Sequence, residues 1–218
     1  PLCKTYMKEN VELVEKGCQN LLAHIETVRK SGVRPVVCLN RFHTDTEPEI
    51  QAIRAISEQA GAAFAVSDHW LRGGDGAREL AQVVVDACED ENGFQVLYDN
   101  TLPLNERIHR IATQVYGADG VSYTEKAGRK LQEIERDPEL SQMHTCMVKT
   151  HLSLSHDPKL KGRPTGWTLP VRDIVVYGGA GFLVVLSGQI KLMPGTASNP
   201  AYRNIDVDVQ TGKVKGLF

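Results

Sequence analysis

Apolar residues recur early in the chain with helical spacing. Met7, Val11, Val14, Cys18, Leu21, Ile25 and Val28 step alternately by four and three, one stripe of an amphipathic helix over residues 5–30, with Gly32 placed to end it. Residues 35–40 (PVVCLN) then read as a strand apolar on both faces, as in a parallel sheet. Thr46-x-x-Glu49 with Pro48 forms a capping box opening a helix through Ile50, Ile53, Ile56 and Ala60, which Gly61 ends. Residues 62–66 are a second buried strand, Ser67 to Gly76 the loop after it, 77–88 a third helix and 94–98 a third strand. Helix and strand alternating over short connections imply parallel βαβ units.

Beyond residue 100 the pattern changes. Leu104, Ile108, Ile111 and Val115 mark a helix closed by Gly117, and a more polar helix runs from 124 to 136, stopped by Pro138. Residues 145–150 read as a strand. Val171–Tyr177 and Phe182–Ser187, separated by Gly178-Gly179-Ala180-Gly181, read as an antiparallel pair, and the tail ending Gly216-Leu217-Phe218 carries short strand-like pieces. The fold class expected is α/β, with parallel βαβ units in a first domain over 1–100. A C-terminal α+β domain with antiparallel strands follows over 101–218.

Composition adds limits. The 218 residues carry a formal charge of -2 and are 41% hydrophobic, which gives no electrostatic reason to expect nucleic acid or an anionic membrane as partner. No apolar run reaches the ~20 residues of a membrane span, and no signal peptide opens the chain. Five cysteines without pairing rhythm (Cys3, Cys18, Cys38, Cys88, Cys146) suggest reduced thiols and a cytoplasmic location.

Candidate chemistry falls in four places. In α/β sheets ligands bind beyond the carboxyl ends of the strands. Phe42 and Trp70 follow two such ends, where paired rings would sandwich a planar heterocycle or else cap the core. Gly73-Gly74-Asp75-Gly76 is either a phosphate cradle or a tight turn with Asp75 as helix cap; it matches no complete phosphate-loop pattern. In residues 149–158 (KTHLSLSHDP), an extended chain would put Lys149, His151, Ser153 and Ser155 on one polar face and turn Leu152 and Leu154 inward. That is the floor of a polar ligand site or an amphipathic edge strand. His144, Cys146, His151 and His156 are too loosely spaced for zinc, so no metal ligand is assigned. Ser153, His156 and Asp157 lack the nucleophile elbow of a hydrolase triad.

Several motifs together resemble formate–tetrahydrofolate ligases, also called 10-formyltetrahydrofolate synthetases. They are residues 35–47 (PVVCLNRFHTDTE), His69-Trp70 with Gly73-Gly74-x-Gly76, Tyr116-Gly117-Ala118 and Lys149 to His156. To these add Gly162-x-Pro164-Thr165-Gly166, residues 169–173 (LPVRD) and Gly179-Ala180-Gly181-Phe182. The resemblance runs nearly end to end. It implies the C-terminal portion of an ATP-dependent enzyme that joins formate to tetrahydrofolate through formyl phosphate. The phosphate-binding loop of such enzymes lies in an N-terminal domain, so this portion alone is expected to be inactive. Mg²⁺, and a monovalent cation, are implied as cofactors, with formate, ATP and tetrahydrofolate as substrates and a homo-oligomer as the assembly.

By resemblance, Phe42 and Trp70 match the aromatic pair that flanks a bound flat ring. Asn40, Arg41, Thr44 and Asp45 match the polar loop beside it, and Gly73 and Gly74 the glycine turn. Lys149, His151, Ser153 and Ser155 match a family motif with no assigned roles. The chain departs from the family where Asp75 replaces the usual lysine or glutamate, and where Thr196-Ala197-Ser198 follows Met193-Pro194-Gly195. The residues alone also admit a different class of protein, a stand-alone folate-binding or assembly module without catalysis.

Overall fold

The computed structural model describes residues 6, 8–91, 93–188, 190, 198–208, 210–211 and 213–216. Met7, Cys3, residues 193–197 and the final two residues, all used in the reading above, lie outside these.

Helix α1 spans Val11–Lys30, six residues shorter at its start than the apolar stripe suggests, because Asn10 caps it: the Asn10 side chain accepts the Leu13 N–H at 3.0 Å. Gly32 follows at φ +77, and a Cβ there would lie 1.9 Å from the Gly93 carbonyl oxygen, so only glycine fits. Strand β1 (Val36–Asn40) leads to helix α2 (Glu47–Gln59) and strand β2 (Ala63–Ser67), one parallel βαβ unit. In the α2 capping box the Glu49 carboxylate receives the Thr46 N–H at 3.3 Å. Helix α3 (His69–Arg72), a 3₁₀ turn (Gly73–Ala77) and helix α4 (Arg78–Cys88) complete the first part.

Two expectations for this part need correcting. Strand β1 is not buried on both faces, since Cys38 and Asn40 are exposed; the flanking α4 packs chiefly on β2. The third strand does not form over residues 94–98. That segment bonds to the end of α1 instead, Gln95 N–H to the Ser31 carbonyl at 2.9 Å, and leaves Phe94 and Val96 exposed. Tertiary hydrogen bonding has overridden local β propensity.

The second part opens with helix α5 (Leu104–Arg110), which runs into a π turn (Ile111–Val115). Strand β3 (Gly120–Tyr123), helix α6 (Glu125–Arg136), the short helix α7 (Pro138–Ser141), and strands β4 (His144–Val148), β5 (Thr168–Tyr177) and β6 (Phe182–Ser187) follow. Their order in the sheet is β3-β5-β6-β4; β5 and β6 are antiparallel as expected, while both edge strands run parallel to their neighbours. Leu104, Ile108, Ala127, Ile134, Val171, Ile174, Leu183 and Val185 form the core beneath α5 and α6. Arg107, fully buried at its edge, donates to the Met143 carbonyl at 2.7 Å and to that of Ser141. In the tail, strands β7 (Asp206–Val207) and β8 (Val214–Lys215) form a small antiparallel pair.

Side chains of α1 hold the two parts together. Asn20 Nδ2 donates to the Gly162 carbonyl at 3.1 Å, Glu26 takes the Arg163 guanidinium through both oxygens, and Lys30 reaches the Gln114 carbonyl. Among the described residues no helix is long and apolar enough to cross a membrane.

Candidate ring-binding site

The register of β1 on β2, with Asn40 opposite Ser67, sends both following loops out of the same sheet edge. One further ladder bond, Arg41 N–H to the Ser67 carbonyl at 2.9 Å, continues the pairing into the loop. The Trp70 indole N–H then donates to the Arg41 carbonyl at 2.8 Å, fixing the indole to the peptide that carries Phe42. Phe42 remains 55% exposed and Trp70 53% exposed. Two large rings therefore stand at the carboxyl ends of adjacent parallel strands without a core to cap. They make no ring contact with each other. A half-exposed indole with its N–H satisfied suits stacking on a flat partner.

The loop between β1 and α2 is a closed turn. Phe42 N–H donates to Asp45 Oδ2 at 2.8 Å, and Asp45 N–H returns to the Phe42 carbonyl at 3.1 Å. Asn40, Thr44 and Asp45 line a cavity of about 450 Å³ with Leu13, Leu39, Ile50 and Ile53 beneath. Arg41 lines a separate cleft of about 280 Å³, with Arg54 and Arg72 facing Glu47, Asp68, Asp75 and Glu79. The Glu49 carboxylate at the cavity wall is held below the usual carboxylate range, chiefly by the Asn10 backbone N–H and then by Thr46.

The glycine turn is built for packing on the strand end. Gly76 sits so close to Asp68 that a Cβ would meet the Asp68 carbonyl carbon at 2.7 Å. Gly73, at φ +58, needs glycine for its backbone, while a Cβ at Gly74 would meet open space. Asp75 does not cap α4, as one reading of the sequence had it; Ala77 occupies that position and Asp75 pairs with Arg78 at 2.9 Å.

Lys149 to Pro158 departs furthest from expectation, because it is not extended. Leu154 is 6% exposed as expected, but Leu152 is 52% exposed, Ser155 is fully buried and His151 is open to solvent, so no common polar face exists. The polar side chains bind neighbouring backbone, which competes with strand formation. Ser153 Oγ accepts the Ser155 N–H at 3.0 Å, Ser155 Oγ accepts the Asp157 N–H at 3.1 Å, and Thr150 Oγ1 accepts the Leu152 N–H at 3.2 Å. The Lys149 ammonium donates to the carbonyls of Thr150 and Ser153 and lies 4.7 Å from the centre of the Tyr116 ring. Burial lowers its pKa. Lys149, Ser153 and Ser155 thus hold this loop's own shape, and the ring pair lies elsewhere.

Among the described residues no three His, Cys, Asp or Glu side chains converge on a metal site. His144 bonds Asn100 at 3.0 Å and His156 packs on Trp167. Sequence reasoning missed the α1 contribution to the cavity and the Tyr116 ring under Lys149. Neither has a local signal, since both depend on contacts distant in sequence.

A family model described as formate–tetrahydrofolate ligase matches residues 2–218. The formate–tetrahydrofolate ligase of Desulfotalea psychrophila is 61% identical over 218 residues, covering 100% of this chain and 39% of the relative. That of Dehalococcoides mccartyi strain 195 is 60% identical over all of this chain and 36% of its own length, and that of Lawsonia intracellularis 59% identical over 37% of its length. The chain thus spans less than two-fifths of the length of the curated relatives it matches. With the family model matched almost from end to end, the chain belongs to the formate–tetrahydrofolate ligase family.

Proposed function

We propose that this chain supplies the ring-binding pocket of an ATP-dependent ligase that makes 10-formyltetrahydrofolate from formate and tetrahydrofolate. The observation that carries the reading is the pair of exposed rings, Phe42 and Trp70, at neighbouring strand ends, one of them tied to the other's loop through the Arg41 carbonyl. Formate is a poor electrophile; ATP converts it to formyl phosphate, and the folate N10 nitrogen then displaces phosphate at the carbonyl carbon. In that division of labour Phe42 and Trp70 grip the flat ring, and the loop of Asn40, Arg41, Thr44 and Asp45 surrounds its edge. The turn of Gly73 and Gly74 forms the neighbouring rim. The phosphates of ATP with their Mg²⁺ belong to parts of the enzyme outside this chain, and a monovalent cation completes the cofactors of the reading. The sequence contains no complete phosphate-binding loop. The reading further comprises two domains divided near residue 100, a cytoplasmic location and a homo-oligomeric enzyme.

Calorimetry of this chain with tetrahydrofolate tests the pocket. Trp70→Ala is expected to weaken binding by roughly tenfold or more, the loss of one stacking face. An unchanged Kd would remove Trp70 from the site. Formate- and folate-dependent release of ADP by this chain alone would refute the placing of the phosphate chemistry elsewhere.

A further inference from the structure

We infer that the open edge of β1, with the apolar groove between β1 and α4, is the surface on which the remaining part of the ligase docks. A strand from that part extends the sheet at β1, and apolar side chains beside it fill the groove. The inference rests on the reading of this chain as one part of a longer enzyme and adds which face the other part covers.

Backbone bonding defines the edge. The Pro35 carbonyl accepts the Ala63 N–H at 2.9 Å, and the Arg41 N–H donates to the Ser67 carbonyl at 2.9 Å, so residues 35 and 41 both turn toward β2. Backbone groups alternate in direction along a strand, and those of Val36, Cys38 and Asn40 therefore face away from β2. Among the described residues β1 and β2 form a two-stranded sheet, and no strand pairs with this side of β1. Residues 36–40 (VVCLN) carry no charge or proline, and their pairing with β2 shows no bulge. Those are devices that keep a solvent-facing edge unpaired, and β1 has none of them.

The face beside that edge is open too. Val36 and Cys38 lie on one side of β1, because strand side chains alternate. Val36 lines a groove of about 670 Å³ with Val33 and with Val84, Ala87 and Cys88 of α4. Cys38 is exposed, Val84 and Val85 are 42% and 54% exposed, and no residue of α4 is buried. Parallel sheets bury both faces, yet α4, packed chiefly on β2, leaves the β1 half of its own face open. The occupant follows from chemistry and from length. Unpaired backbone donors and acceptors beside an apolar groove suit a strand that brings an apolar face with it, the way a further piece of an α/β sheet arrives. The ligases of Desulfotalea psychrophila and Dehalococcoides mccartyi strain 195 are matched over 39% and 36% of their length, so more than half of each is chain that must pack elsewhere on the enzyme.

The test joins this chain, in one polypeptide, to the part of the Desulfotalea psychrophila ligase outside the match, and follows maleimide labelling of each thiol by peptide mass. Cys38 and Cys88 are expected to label roughly tenfold or more slowly in the joined protein than in this chain alone. Val84→Asp changes an exposed position, so it should move the thermal unfolding of this chain alone by no more than about 2 °C. In the joined protein the same substitution should restore most of the labelling at both thiols. Labelling as fast in the joined protein as in the chain alone would overturn the inference, as would slow labelling indifferent to Val84→Asp. Labelling of the chain alone that slows as its concentration rises would assign the face to a second copy, and would overturn the inference too. Formate- and folate-dependent release of ADP separates the docking face from the reading beneath it. A joined protein that releases ADP with both thiols open upholds the reading and sinks the docking face; slow thiols without ADP release do the reverse.

Discussion

At the scale of single residues, what separates the ring pair from the Lys149 segment is where each side chain spends its bonding capacity. The Trp70 N–H is spent on Arg41 and about half of the side chain is left exposed. Lys149 is spent inward, on two carbonyls and the Tyr116 ring. Lys149→Met keeps much of the stem over Tyr116 but strands those carbonyls. It is expected to cost about 1–3 kcal/mol of stability in urea denaturation, while tetrahydrofolate affinity stays as it was. A selective loss of affinity at unchanged stability would show that Lys149 acts on ligand. The placing of Phe42 and Trp70 in loops beyond neighbouring strand ends was legible in the sequence, because each follows an apolar strand run directly. The inward turn of Lys149 was not, because alternation of polar and apolar residues says nothing about nearby backbone acceptors.

At the scale of elements, α6 is fastened to β5 by one carboxylate. Asp173, beside an irregularity in β5, pairs with Lys126 and Lys130 at 2.7 Å each and accepts the Ile174 N–H at 2.9 Å. Burial alone would push its pKa up; the two lysines and the backbone N–H prevail and hold it at about 2, against an ordinary 3.8. A carboxylate with a depressed folded pKa stabilises the fold fully above its unfolded pKa and loses that contribution as pH falls through the folded one. The stabilisation, on the order of 2 kcal/mol, should therefore fade between about pH 4 and pH 2. Thermal unfolding across that range should show Asp173→Asn less stable than the unaltered chain at pH 6 and nearly equal to it near pH 2. A constant gap would assign the effect to packing. Both helices flanking this region, and the β5–β6 hairpin, followed from periodicity and the glycine turn. Strand β3 did not, since its four residues carry too short a pattern and are held by pairing with β5.

At the scale of the whole molecule, α1 is the brace between the two parts. Its bond from Asn20 and its ion pair from Glu26 both reach the loop around Gly162 and Arg163. The Glu26–Arg163 pair is close to half exposed, so Glu26→Gln should cost under about 1 kcal/mol, and less in high salt. A loss of several kcal/mol would show that the brace carries more of the fold than its exposure implies. Sequence by itself determined the elements with long, regular patterns, the parallel unit at the start, the hairpin near the end, and the family. Local propensity and periodicity act within a dozen residues, and motif identity needs no coordinates. Only the tertiary structure decided that residues 94–98 form no strand, that Lys149 to Pro158 folds in on itself, and that Asp45 turns back onto the Phe42 N–H beside a cavity lined by α1 and α2. Each of these depends on which distant group reaches a donor or acceptor first, and the linear pattern of polar and apolar residues does not encode that competition.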